Sequence, residues 1–294
     1  MTERQTVLVA GATGSIGNAA ALALARRGAR VVLLGRRAEK LDSRADSIRD
    51  ALTDTGVDFP AADIATLVID FSDMDSVKAA AEEALNRFPA IDGLVLSVGA
   101  LVQGGPNVLP SGHELMFATN VMGPFLFTNL LLKRMQHSDG LVLHVIAPFH
   151  EHLDWDDLES LENHRSMAAF NRTKGCNRMV AGELARRYAG RISSVAFDPT
   201  FVLDKSDPEL KDRWPSGFAG AVWRLMAIFR AKRPEVAGEP LAELMLAHQD
   251  RGSLNGALFV LDKRSEQGDE TMDNEADGER LWQRLELLTE PSPG

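Results

Sequence analysis

Short apolar runs recur along the chain at 6–10 (TVLVA), 30–34 (RVVLL), 66–70 (TLVID), 93–97 (GLVLS), 140–146 (GLVLHVI), 193–197 (SSVAF) and 256–261 (GALFVL). Each is short and apolar throughout, as suits a strand buried on both faces of a parallel sheet. Between them lie longer segments, such as 15–27, 74–88 and 114–135, with apolar positions three and four apart. That spacing gathers their side chains on one helical face. Strand and helix alternate, so the pattern predicts a doubly wound α/β fold with a mostly parallel sheet of about seven strands.

Two stretches break the rhythm. Residues 204–236 form an insertion before the last strand, with an apolar helical core around GFAGAVWRLMAIF. It reads either as a roof over a substrate cleft or as a packed surface helix. Residues 264–279 carry seven acids and almost no apolar residue. That composition predicts a solvated connection leading to a last helix around RLWQRLELL. The expected organisation is one domain over 1–263, the insertion included, with 264–294 as the acidic connection and a C-terminal helix packing back on it.

Composition narrows the function classes. The 294 residues, 45% of them hydrophobic, suit one large α/β domain. The formal net charge of −10 argues against nucleic acid, whose phosphates need a basic surface. The lone cysteine, Cys176, excludes an internal disulfide and cysteine-built metal clusters, and fits a reducing, cytoplasmic setting. The pattern shows neither a secretory leader nor the roughly 18 consecutive apolar residues of a membrane span.

The chemistry begins directly after the first run. VLVAGATGSIG places Gly11, Gly14 and Gly17 three apart between a strand and a helix. Glycines there allow a tight turn, close backbone approach to a pyrophosphate and close packing of helix on strand. The helix start adds free N–H groups and the positive end of its dipole. The pattern thus predicts a Rossmann dinucleotide site, with Thr13, Ser15 and Ile16 completing the loop. Where an NAD site carries an acid to hold the ribose 2′-hydroxyl, the second strand ends in Arg36 and Arg37. Arginine suits a 2′-phosphate, which points to NADP(H). Asp70, closing the third strand, is placed to bind the adenine amino group, with Phe71 beside it.

These residues, with DFSDMDSV, FATNVMGPFLFTNLLL, FNRTKGCNRMVAGELARR and NGALFVLDK, resemble the short-chain dehydrogenase/reductases over nearly the whole chain. The resemblance is to the branch of retinol dehydrogenases and protochlorophyllide reductases. It implies an Asn-Ser-Tyr-Lys tetrad, in which the tyrosine exchanges a proton with the substrate oxygen, which the serine orients. The lysine holds the nicotinamide ribose, and the asparagine supports a proton relay. On this sequence the asparagine falls on Asn120 and the lysine on Lys174, but the tyrosine position falls on Phe170 and the serine position on Ala147. Ser97 and Gly99 stand where the family has Asn-Asn-Ala-Gly, read here as Leu96-Ser97-Val98-Gly99, and Pro199-Thr200 where it has Pro-Gly. The resemblance makes these, with Val202, further cofactor contacts, and implies either a homodimer through the helices around Asn120 and Lys174 or a monomer.

Phe170 has no ionisable hydrogen, and the one tyrosine, Tyr188, lies five turns further along the same helix. Candidate replacement acids follow the fifth strand in APFHEHLDWDD: His150 first, then His152 and Asp154, with Lys174 a further candidate. His144, three residues before Ala147, falls on the opposite face of its strand. The leading expectation is an atypical NADP(H)-dependent oxidoreductase, passing hydride to a conjugated C=C, imine or carbonyl of a hydrophobic small molecule. Val102, Phe149 and Trp155 are candidates to line its pocket. One alternative is a non-redox enzyme (cyclase, dehydratase or isomerase) or a silent NADP-binding scaffold or sensor on the same fold. Another is an ordinary carbonyl reductase in which Tyr→Phe and Ser→Ala have been engineered.

Overall fold

The computed structural model describes residues 4–53, 63–147, 152–204, 231–247, 251–266 and 273–290. Eight strands form one sheet in the order β3-β2-β1-β4-β5-β6-β7-β8. They are β1 (Thr6–Ala10), β2 (Arg30–Gly35), β3 (Ile64–Val68), β4 (Gly93–Leu96), β5 (Leu141–Val145), β6 (Ser193–Asp198), β7 (Leu258–Val260) and β8 (Lys263–Arg264). Neighbours pair in parallel except for the last, where Phe259 opposes Arg264 in antiparallel register. The eighth strand is a two-residue polar edge, KR, that carries no apolar pattern for the sequence to reveal. The chain order reverses between β1 and β4, and such switch points open a crevice at the carboxyl ends of the strands.

Helices α1 (Ser15–Arg26), α2 (Ala38–Thr53) and α7 (Glu235–Leu246) cover one face of the sheet. On the other lie α3 (Met74–Arg87), α5 (Gly123–Met135), α6 (Ser166–Arg187) and α9 (Glu275–Thr289). Alternate residues of each strand feed the two cores: Leu8 and Val142 join the second face, Val9 and Leu143 the first. One short helix, α8 (Arg251–Leu254), precedes β7.

The helix expected over 114–135 is built in pieces. A single turn, α4 (Leu115–Phe117), widens into a π-helical turn at Ala118–Met122 before α5 continues. Leu115–Ser138 is long and apolar enough to cross a membrane by length and composition, but 83% of its apolar window is buried inside the protein. It is a core helix here.

Of the acidic stretch, residues 267–272 lie outside the described residues, and the part from Asp273 onward leads into a capped helix. Asn274 caps α9 by accepting from Ala276 N and Asp277 N, and Glu275 and Asp277 occupy the first turn. Acids at that end are favoured by the helix dipole. Asp273 accepts a two-pronged hydrogen bond from Arg178, at 3.0 and 2.8 Å from its Nη2. Trp282 meets Phe125 edge-on at 4.8 Å, and Arg187 stacks over its indole and pairs with Glu279. Helix α9 therefore lies across α5 and α6, and covers within one chain part of the surface the resemblance offers to a homodimer.

Of the insertion, residues 205–230 lie outside the described residues. Its base is closed by a bridge between Val202 and Lys232, with Lys232 N donating to Phe201 O and Leu203 N to Lys232 O.

Candidate functional site

Where β1 ends, the backbone turns under the second strand, with Gly11 N and Ala12 N both donating to Leu34 O at 3.2 Å. Gly11 has φ +76°, a conformation that a side chain would strain. A Cβ on Gly17 would lie 2.4 Å from Gly11 O and 2.6 Å from Ser97 Oγ, so the helix can approach the loop only without one. Ser97 Oγ donates to Ala10 O at 2.7 Å, fixing the end of β4 against the same turn. Helix α1 starts after Gly14 with no side-chain cap, and Gly14, Ser15 and Ile16 reach the surface there. Its first N–H groups therefore have no side-chain cap and are open to an anionic ligand. The Thr13 methyl sits close to Gly35, at the end of β2.

Arg36 and Arg37 follow β2 and are exposed. Asp70 is half-buried, and its Oδ1 already accepts from Ser72 N and Oγ at 2.9 and 2.7 Å. Phe71 turns its ring into the core, edge-on to Phe127, which leaves its backbone as the only part able to meet a ligand. Arg36 and Arg37 follow β2 directly, whereas β3 ends at Val68, two residues before Asp70, and the pattern at 66–70 does not show that Phe71 belongs to the core.

The other half of the site lies beyond β4 and β5. Asn120 occupies the π-helical turn, fully buried. Its Oδ1 accepts from Ala100 N at 2.7 Å, while Nδ2 donates to Ala100 O at 2.9 Å and Thr173 Oγ1 at 3.1 Å. It thus clamps the loop after β4 to helix α6. Thr173 was not anticipated from the sequence. The only signal for it is its place before Lys174, since its hydroxyl also donates to Phe170 O at 2.7 Å.

Lys174 is 4% exposed. Its Nζ donates to Val98 O at 2.8 Å and Val145 O at 3.2 Å, bridging the ends of β4 and β5. It lies 5.6 Å from the centre of the Phe170 ring, within cation–π range. A Cβ placed on Gly99 would be 3.5 Å from that amine and 3.7 Å from the ring, so the three residues form one cluster with exposed Gly99 outermost. Burial pushes the Lys174 amine down to about 8.

His144 faces the second core and is buried, its Nε2 without a hydrogen-bond partner. Burial, then the nearby Lys174 charge, push it down to about 3, so the ring stays neutral. Ala147 is half-buried just past β5. His150 and Phe149 lie outside the described residues. His152 is exposed, and Asp154 uses Oδ1 to hold Asp156 N and Asp157 N in a turn. Trp155 stacks under Arg280 of α9. Val102 is half-buried, its N–H directed at Met116 Sδ. Tyr188 ends α6, about 27 Å along the axis from Phe170, with Arg191 over its ring. Cys176 is buried in the core, its thiol pushed up to about 12 by burial.

After β6, Pro199 is buried and Thr200 adopts φ +60°. A β-branched residue in that region is strained, and the resemblance places a glycine there. The turn is held by Asp198 Oδ1, which accepts from Thr200 N at 2.7 Å; the Thr200 hydroxyl is buried without a partner. Val202 packs on the first core.

Comparisons with known proteins speak to the family and the fold. The short chain dehydrogenase family pattern matches residues 5–148. Over 297 residues the chain is 30% identical to dehydrogenase/reductase SDR family member 13 of Homo sapiens, covering 99% of this chain and 74% of that one. With retinol dehydrogenase 13 of Homo sapiens it shares 29% over 300 residues, 98% and 86% of the two chains. With a protein assigned as the daunorubicin C-13 ketoreductase of Streptomyces sp. (strain C5) it shares 33% over 197 residues, spanning 66% of this chain and 65% of that protein. A gluconate 5-dehydrogenase from Burkholderia cenocepacia J2315, solved with NADP and tartrate, superposes with a TM-score of 0.64 at 22% identity. That match covers 88% of this chain and 93% of the other, and speaks for the fold. The chain belongs to the short-chain dehydrogenase/reductase family.

Proposed function

We propose that this protein is an NADP(H)-dependent oxidoreductase that exchanges hydride with a hydrophobic small molecule without a tyrosine acid. The observation that carries this reading is the Lys174 cluster. A buried cation is kept between the ends of β4 and β5, under Gly99, although Phe170 beside it offers no hydroxyl. A protein that used the fold only as a scaffold has no need to bury at the strand ends an amine that no carboxylate pairs among the described residues.

The residues present fit a dinucleotide. The loop at Gly11 and Gly17 is packed so closely that any side chain would drive into Ser97 or the Gly11 backbone and displace the turn, and the start of α1 is left uncapped. Gly11, Thr13, Gly14, Ser15, Ile16 and Gly17 would hold the pyrophosphate. Arg36 and Arg37 would pair with a 2′-phosphate, and Asp70 and the Phe71 backbone would border the adenine. Ser97, Gly99, Lys174, Pro199 and Val202 would border the nicotinamide half, with Asn120 holding the loop in place. Bound there, a reduced nicotinamide supplies a hydride. Phe170 and Ala147 present apolar surface where the resemblance puts hydroxyls. That favours an acceptor asking little of an acid, such as a conjugated C=C or an iminium, over a simple ketone. NADP-bound and ketoreductase relatives are consistent with this class of chemistry.

The test is a titration with NADPH and NADH followed by nicotinamide fluorescence, then a screen of conjugated enones, iminium ions and ketones as hydride acceptors. The reading requires NADPH to bind at least about tenfold tighter than NADH, a gap of about 1.4 kcal/mol. It also requires turnover of at least one conjugated or iminium acceptor. Binding of neither cofactor would overturn it in favour of a silent scaffold.

A further inference from the structure

Lys174 poses a physical problem. It is 4% exposed, and no carboxylate pairs with it among the described residues; its two acceptors are the neutral carbonyls of Val98 and Val145. Buried lysines ordinarily have a counter-ion. Among the described residues, the titratable and charged groups on the elements packed against it do not supply one; His150 and Glu151, which follow β5, lie outside them. On β5, His144 is neutral and repelled by the amine rather than paired with it. The loop at Val98–Ala100 and the turn at Ala118–Met122 contain no ionisable side chain. Asp198, at the end of β6, is engaged with Thr200 N. On α6 itself Arg172 binds the loop before it and Arg178 binds Asp273, while Cys176 is buried in the core.

An ammonium has three N–H donors, and two are anchored at 2.8 and 3.2 Å. The third has no acceptor among the described residues. The amine lies beneath Gly99, which has no side chain to screen it and is itself exposed, and beside the Phe170 ring. We propose that Lys174 is the proton donor of this site, its third N–H serving the acceptor oxygen or nitrogen directly. This rests on the nicotinamide reading above and gives the missing acid a residue. For a carbonyl acceptor, hydride from a bound reduced nicotinamide, the hydrogen with both electrons of its broken C–H bond, would add to the carbon as the C=O π pair moves to the oxygen. The oxygen then takes a proton from the Lys174 ammonium, leaving a neutral amine that water reprotonates. Oxidation of the alcohol runs the same exchange backwards, with the neutral amine as base.

Desolvation supports the assignment, since an amine near 8 is a far better acid than an ordinary lysine at about 10.4. The experiment is NMR of protein carrying [ε-13C]lysine, titrated free and with saturating NADP+. The Lys174 resonance is identified by its absence in K174R and by its shift on NADP+ binding. The proposal requires a midpoint near 8 in the free protein that stays below about 9 with NADP+ bound. A midpoint at or above about 10 in either state overturns it.

In parallel, NADPH-dependent reduction of 9,10-phenanthrenequinone is followed against pH. The rate should fall tenfold per pH unit above the same midpoint. At saturating NADPH, K174R should lose on the order of 100-fold in kcat and lose the pH break. Equal rates for K174R and the parent, or no quinone reduction by the parent, count against the proposal. The two readings fail separately. Absent NADPH binding strikes the cofactor assignment, whereas bound NADPH beside a normally titrating Lys174 strikes only the acid.

Discussion

The two halves of the site differ in what holds them. The glycine loop is fixed by backbone: Gly11, Ala12 and Gly14 are tied by main-chain hydrogen bonds, and Gly17 succeeds by having no side chain. The reacting half is fixed by side chains, with Asn120, Thr173 and Lys174 pinning the loop after β4 to α6. The first arrangement tolerates few substitutions, while the bonds that shape the second involve the side chains of neither Phe170 nor Ala147.

The comparison can be broken from either side. The largest effect is expected for Gly17→Val, whose side chain would drive into Gly11 O. Nicotinamide fluorescence should then show no NADPH binding, and a folded variant that binds normally would refute the cradle. Next comes restoration of the reacting half. Phe170→Tyr with Ala147→Ser should raise NADPH-dependent ketone reduction by about 10²- to 10⁴-fold without changing NADPH affinity. A flat rate would mean that the two positions do not face the acceptor. Arg36→Ala is smaller and confined to the first half. It should erase most of the roughly tenfold NADPH preference, about 1.4 kcal/mol, and leave NADH binding alone.

His144 supplies a stability test of the boundary between the halves. Its folded value is pushed down to about 3, against about 6.5 unfolded, so the unfolded chain binds the extra proton first. The stability this neutral ring confers is complete above about pH 6.5 and is lost as pH falls toward 3. Replacing His144 with leucine should flatten urea midpoints over that window, and an unchanged slope would contradict the burial. The smallest effect is expected at Arg178→Ala. Its partner Asp273 is half exposed, so the cost should be about 1 kcal/mol or less with cofactor binding untouched.

Much of this was legible in the sequence for a physical reason. Seven parallel strands and the helices between them write their burial directly into apolar period, and the glycine loop is a local motif whose neighbours in sequence are its neighbours in space. The features that were not legible depend on distant partners. The π-helical turn at Ala118–Met122 has the composition of ordinary helix. Thr173 matters only because Asn120, 53 residues away, meets it. Phe71 reads as a strand end but packs on Phe127. Helix α9 begins inside a run of acids, and only the cap at Asn274 marks its start.

Helix α9 also has a consequence for how the protein is made. It completes the face formed by α5 and α6, yet its first residue, Glu275, comes 88 residues after Arg187, the last of α6. At roughly 5–20 residues per second on the ribosome, that face waits on the order of ten seconds for its cover. During this interval Phe125 and the neighbouring apolar surface are open to solvent. A nascent chain halted before residue 275 should be the form most readily captured by chaperones that bind exposed apolar segments.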